Sequence, residues 1–232
     1  MKETRRKKVV LCGKAWLARK ILDWYMDRPT QFEVVRIVPV IPKENWYECD
    51  LVSYAEQLGI PVEHSGDIEK IPGLFETEVY ADILQLVFYK RIVRKATIEQ
   101  FGIGLNIHLS ELPKYRGARG INWALKNRER YQGVTIHKLT EKLDQGPIIA
   151  QSRFTIYPEF EEVKDVYERA LQHAYLLFSH TLPDLHRIVP VEQDHSVATY
   201  YSSKDFHRLD DRLTFTKEAS LRLRSVDSDA GS

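Results

Sequence analysis

The sequence predicts an α/β fold, doubly wound and mostly parallel, with a short C-terminal extension. Three observations predict it. Short β-branched runs alternate with segments of helical apolar spacing over roughly residues 8–182; one of those runs is almost entirely apolar; and the pattern changes after Pro183. Alternating strands and helices are the signature of a layered sheet with helices on both faces. An unbroken apolar strand has both faces covered, as in a parallel sheet.

Taken in order, Lys8–Cys12 is a short apolar run that ends at Gly13. Trp16, Leu17, Ile21, Leu22 and Tyr25 follow at helical spacing, which reads strand, turn, helix. Phe32–Val38 is a second strand, followed by a Pro-containing loop, a helix over Leu51–Leu58 and the punctuation Gly59-Ile60-Pro61-Val62. Ile83–Phe88 is the central strand. A short helix is predicted over Ile92–Phe101, a strand over Gly104–His108, a helix over Ala118–Lys126 and strands over Gly133–Leu139 and Ile148–Ile156. The longest helix is Val163–Leu182, with Val166, Ala170, Ala174, Leu177 and Phe178 along one face. The elements amount to a Rossmann-like sheet in a domain of residues 1–185. Residues 186–232 form the extension, in which Ala198–Tyr201 and Arg212–Phe215 read as a hairpin or an interface arm. The Ser-, Asp- and Gly-rich tail from Ser225 reads as disordered.

At 232 residues the chain has room for one well-buried α/β domain. Its 34 basic and 33 acidic residues leave a formal charge of +1, so no overall field exists to hold a polyanion, and nucleic acid is not the expected partner. The basic run Arg5–Lys8 reads as a lead-in to the first strand. Cys12 and Cys49 lack metal-ligand spacing, and reduced thiols in a cytoplasm are expected. No apolar stretch approaches the ~20 residues that span a bilayer, and no leader follows the basic N-terminus, so a protein neither secreted nor membrane-spanning is expected.

Chemistry concentrates in Asn106–Leu125. Residues i and i+2 of a strand share a face, so Asn106 and His108 project together. The polar loop Ser110–Gly120 follows, placing both at the carboxyl end of a strand, where open α/β sheets bind ligands. The alternative is that both satisfy local backbone groups. Asp144 lies in a turn within Glu141–Pro147 after another strand. A carboxylate there can orient an imidazole, although Asp before Gln145-Gly146 is also a common turn residue.

Four linked motifs follow one another: N-x-H at Asn106 and His108, S-x-L-P-x-Y-R-G at Ser110–Gly117, G-V-T-I-H at Gly133–His137 and L-D-x-G at Leu143–Gly146. In order and separation they resemble the folate-dependent formyltransferase family, which includes glycinamide ribonucleotide, methionyl-tRNA and sugar-amine formyltransferases. The resemblance implies Asn106, His108 and Asp144 as the catalytic trio and N10-formyltetrahydrofolate as co-substrate. The carrier would lie near Tyr89, Lys90, Arg91 and Ile92 and the loop containing Thr140, Glu141 and Leu143. For Tyr89 and Ile92, packing at a strand end is an equal alternative. Neither a metal nor a covalent enzyme intermediate is implied. Lys114, Tyr115 and Arg116 are candidates for the acceptor channel, Lys14 for an acceptor or phosphate contact, and Trp123 for stacking, with core packing the weightier role for Trp123.

The segment Arg116–Leu125 and the aromatic stretch Ala198–Phe206 look most like the sugar-amine branch. The expected acceptor is therefore a nucleotide-linked amino-dideoxysugar, such as GDP-perosamine or a dTDP-4-amino-4,6-dideoxyhexose, destined for surface polysaccharide. Glycinamide ribonucleotide, another small amine, water in a hydrolase and a binding-only role are the alternatives. The chain is shorter than expected of a methionyl-tRNA formyltransferase with its additional barrel. A homodimer built partly through residues after Pro183 is expected.

Overall fold

The computed structural model describes residues 5–40, 51–209 and 213; Cys49, the tail from Ser225 and most of Arg212–Phe215 lie outside the described residues. Strand β1 (Lys7–Gly13) leads into helix α1 (Ala15–Met26), then β2 (Phe32–Pro39), α2 (Leu51–Gln57) and β3 (Ala81–Val87). The short helix α3 (Lys95–Ile98) precedes β4 (Phe101–His108). After it come β5 (Arg116–Gly117), α4 (Gly120–Lys126), β6 (Tyr131–Lys138), β7 (Ile148–Thr155), α5 (Val163–Thr181) and β8 (Tyr200–Tyr201).

The main sheet has the order β2-β1-β3-β4-β6-β7. The pairs β1/β2, β1/β3 and β3/β4 are parallel, whereas β4/β6 and β6/β7 are antiparallel. The doubly wound, mostly parallel α/β class expected from the alternation is the one observed. Its core divides by strand parity, because successive side chains point to opposite faces. Val9, Leu11, Ile83, Val87, Leu105 and Ile107 face a cluster completed by Leu17, Ile21, Trp123, Val166 and Phe178. Val10, Cys12, Leu84 and Leu86 face a second cluster with Val38, Ile68, Ile71 and Leu74. Each fully buried Leu or Ile stabilises the fold by about 1.5–3 kcal/mol relative to an exposed one. Helix α5 buries Val163, Val166, Ala170, Ala174 and Phe178, a three- and four-residue spacing that lays one stripe on the sheet. Among the described residues no helix is long and apolar enough to cross a membrane.

The clearest differences from expectation concern four elements. The helix expected over Ile92–Phe101 shrinks to α3, and β4 starts at Phe101 rather than Gly104. The cause is two glycines inside the strand. A Cβ on Gly102 would come within 2.9 Å of the Asp82 carbonyl, and one on Gly104 within 2.8 Å of Leu139. Glycine weakens a strand signal while permitting these close approaches. The helix expected from Ala118 starts at Gly120, because the Ala118 N–H donates to the Tyr201 carbonyl and Arg119 is left-handed at φ 59°. Finally, among the described residues Tyr200 and Tyr201 pair in no hairpin, and most of Arg212–Phe215, the other half of the one expected, lies outside them. The two tyrosines run parallel to Arg116 and Gly117 as a two-stranded sheet, returning the extension to its own chain.

Candidate active site

Strand parity sends Leu105 and Ile107 into the core and turns Asn106 and His108 to the opposite face. There Asn106 and His108 meet the loops 109–115 and 139–147. Register then adds what the chain order hides. In the antiparallel β4/β6 pair, Asn106 stands opposite His137 and His108 opposite Thr135. Thr135 is buried and anchors the first loop, donating to the Ser110 carbonyl (2.7 Å) and accepting from Leu112 N–H (3.1 Å).

The second loop brings in Asp144. Its return past the end of β6 is so close that a Cβ on Gly146 would stand 1.8 Å from the Lys138 carbonyl oxygen, so only glycine fits there. Asp144 adopts φ 53°, a left-handed conformation that Asp tolerates better than most residues, and is buried. Its Oδ2 accepts from the Gly117 N–H at 2.8 Å and lies 3.6 Å from His108 Nδ1. Its Oδ1 lies 3.4 Å from Asn106 Nδ2 and 3.6 Å from His137 Nε2. The predicted trio therefore meets around one carboxylate.

Hydrogen-bond geometry assigns the ring protons. His137 Nδ1 lies 2.8 Å from the Lys138 carbonyl, which can only accept, so Nδ1 carries hydrogen; Nε2 faces both Asn106 Nδ2, at 3.1 Å, and the Asp144 carboxylate. His108 Nε2 lies 2.8 Å from the Tyr115 carbonyl and donates to it, which turns Nδ1 toward Asp144. Burial alone raises the Asp144 pKa. The charge of His108, the hydrogen bond and charge of His137 and the Gly117 N–H outweigh that effect and hold the carboxyl well below the usual carboxylate range. Asp144 is thus a fixed negative charge beside an imidazole and an amide, the disposition for orienting a base and stabilising it once protonated.

The other expected residues are distributed unevenly. Tyr89, Lys90, Arg91 and Ile92 follow β3, where Tyr89, Arg91 and Ile92 line a cleft with Asp67, Ile68, Glu69, Val93 and Arg94. Tyr89 Oη donates to the Gly66 carbonyl and accepts from Ile68 N–H, and burial pushes its pKa up to about 12. Arg91 pairs with Asp67 at 2.7 Å, and Ile92 is 71% exposed. Thr140 donates to the Lys142 carbonyl, while Glu141 and Leu143 are exposed, giving the Asp144 loop an open outer edge. Lys14 caps α1 at the end of β1, where partial burial lowers its pKa, and Lys114 stands 3.7 Å from Glu129 on the surface.

The side chains of Tyr115, Arg116 and Trp123 do not line an open channel. Tyr115 is buried with its hydroxyl on Glu129, Arg116 is turned inward onto Gln193 and His195, and Trp123 stacks on Tyr201 at a centroid distance of 4.1 Å. Their spacing in the motif reflects packing of the extension against this loop. Sequence reasoning singled out neither His137, although it closes the G-V-T-I-H motif, nor Gln193. Among the described residues no group of three or more His, Cys, Asp or Glu could hold a metal ion.

A carboxylate-held histidine beside an amide donor, at the carboxyl end of a strand in a doubly wound sheet, is the equipment of an enzyme that moves a small acyl group through a tetrahedral intermediate. Residues 74–182 match the formyl transferase family model. A methionyl-tRNA formyltransferase of Fervidobacterium nodosum is 30% identical over 97% of this chain and 73% of its own. In a second, from a Synechococcus strain, the match is 35% over 83% of this chain and 63% of the relative, just under two thirds of its length. Among solved structures, the N-formyltransferase of Helicobacter canadensis, crystallised with folinic acid and dTDP-3-aminofucose, has a similar fold. It gives a TM-score of 0.69 at 24% identity over 87% of this chain and 72% of that one. The phosphoribosylglycinamide formyltransferase of Bacillus halodurans gives 0.63 at 24% identity over 77% and 95%. The chain belongs to the formyltransferase family and is a formyl-transferring enzyme.

Proposed function

We propose that the chain transfers a formyl group from N10-formyltetrahydrofolate to the amine of a nucleotide-linked amino-dideoxysugar, such as GDP-perosamine or a dTDP-4-amino-4,6-dideoxyhexose. The observation that carries the reading is the convergence of Asn106, His108 and Asp144 within 3.6 Å contacts around one buried carboxylate. The amine attacks the formyl carbon, the carbonyl oxygen gathers negative charge, the amine loses a proton, and the bond to the carrier nitrogen breaks as that nitrogen is protonated. Asn106 supplies a donor to the oxygen. His108, its ring oriented by the Nε2 hydrogen bond to the Tyr115 carbonyl, takes the proton from the amine at Nδ1 and returns one to the leaving nitrogen, with ionised Asp144 stabilising the imidazolium between the two steps. The exposed edge of the Asp144 loop and the cleft beside Tyr89 would seat the carrier.

The sugar acceptor is supported by the likeness to structures named as sugar N-formyltransferases, one of them bound to dTDP-3-aminofucose. A methionyl-tRNA acceptor is favoured by the 30% identical relative, and it is the second reading. A cytoplasmic homodimer serving surface-polysaccharide synthesis accords with the sugar reading; Val189 and Val191, exposed on the extension, would lie at its interface. Purified protein with N10-formyltetrahydrofolate is given in turn a panel of nucleotide-linked amino sugars, glycinamide ribonucleotide, methionyl-tRNA or no amine, and tetrahydrofolate release is followed. Release confined to the sugars is expected. Release only with methionyl-tRNA or glycinamide ribonucleotide transfers the assignment, and release without amine makes the protein a hydrolase.

A further inference from the structure

Gln193 lies beyond α5, in the extension, yet it is 4% exposed. A primary amide has two hydrogens to give and one oxygen with two lone pairs, and here all four are used. Nε2 donates to the Asp144 carbonyl at 2.9 Å and to the Gly146 carbonyl at 2.7 Å. Oε1 accepts from Arg116 Nε at 3.1 Å and Nη2 at 2.6 Å. The residue after Arg116 is Gly117, whose N–H holds the Asp144 carboxylate at 2.8 Å. The contacts close a ring, from the Asp144 carbonyl through Gln193 and Arg116 to Gly117 and back to the Asp144 side chain. Main chain and side chain of the one carboxylate are thereby fixed together, in a turn whose left-handed φ an L residue enters at a cost.

We infer that Gln193 is a positioning residue for formyl transfer, setting Asp144 against His108 by bridging the Asp144 turn to Arg116. No other common side chain satisfies the four contacts: Glu lacks donors, Asn is one methylene short, and Leu would leave two carbonyls and a guanidinium without partners in a buried place. The inference rests on the catalytic reading of Asp144 given above.

The test is a double-mutant cycle on the full chain, with Gln193→Ala, Asp144→Asn and the pair, followed by kcat and amine KM. Gln193→Ala is expected to lower kcat roughly tenfold to a hundredfold, as small displacements of catalytic groups do, with KM for the amine changed less than about threefold. In the Asp144→Asn background the same change should cost less than about threefold, because the group it positions is gone. Independent, multiplicative losses or an unchanged kcat overturn the inference. If Gln193→Ala does not fold, Gln193→Glu enters the same cycle; it keeps the Arg116 contacts and sets a carboxylate oxygen against the two carbonyls. Asp144→Asn alone reports on the underlying reading: wild-type turnover there removes the catalytic assignment itself, whereas impaired turnover with additive Gln193 losses removes only the positioning role.

Discussion

The loops at the carboxyl ends of the two central strands, β3 and β4, are built on opposite plans. After β3, Tyr89–Arg94 is held by exposed ion pairs, Arg91 with Asp67 and Arg94 with Glu69, and by one half-buried hydroxyl. After β4, the groups around Asp144 are buried and cross-braced by partners from β4, β5, β6 and the extension. Charge pairs in water contribute about 0–1 kcal/mol, whereas a buried carboxylate without its partners is costly. One loop is braced at the surface and is the more adaptable of the two, and the other is braced by buried, mutually constraining contacts.

That contrast can be broken by substitution. The largest effect is expected from Asn106→Ala, which should lower kcat about 10²- to 10³-fold, the consequence of losing one oxyanion donor. Near-normal turnover would make the amide a structural partner of His137. His108→Ala should lower the rate by about 10²-fold, measured in single-turnover assays with saturating carrier. Arg91→Ala, on the more adaptable loop, should change kcat/KM for the folate less than about fivefold, since an exposed pair contributes no more than ~1 kcal/mol. A loss as large as that of His108→Ala would show that the guanidinium grips the carrier directly.

The smallest expected effect is one of stability against pH. Asp144 has a folded-state pKa depressed below its ordinary value of 3.8, so its contribution is fully present above that pH and is lost as pH falls through the lower, folded value. The difference in denaturant stability between the native chain and Asp144→Asn should be constant from pH 7 to pH 5 and shrink below pH ~3.8. A difference already collapsing at pH 6 would mean that the carboxyl is not held ionised by its neighbours.

The legibility of these regions in the sequence follows physical range. Strands β1 to β4 and helix α5 announce themselves because burial imposes a period on adjacent residues. Asn106 and His108 are legible as a pair because parity is local, and Asp144 because its turn chemistry is local. His137 stands in a readable motif, but its partnership with Asn106 is a matter of register between antiparallel strands 31 positions apart. Gln193 is silent: its partners lie 49 and 77 positions away, and a lone Gln in a polar stretch carries no period. The two-residue strands β5 and β8 are too short for alternation. For the same reason Tyr115 and Arg116, candidates for an acceptor channel in a Gly-punctuated loop, are found supporting Thr199, while Trp123 takes the packing role expected to outweigh stacking on a ligand.

The parallel ribbon of Arg116–Gly117 with Tyr200–Tyr201 also makes the corner around Asp144 depend on the extension. Gly117 passes so near the later segment that a methyl there would stand 2.2 Å from the Tyr201 carbonyl, and two residues earlier the Tyr115 N–H donates to the Thr199 hydroxyl, 84 positions downstream. The Gly117 N–H that holds the Asp144 carboxylate is thus placed by residues far along the chain, and a chain lacking the extension would lose that support.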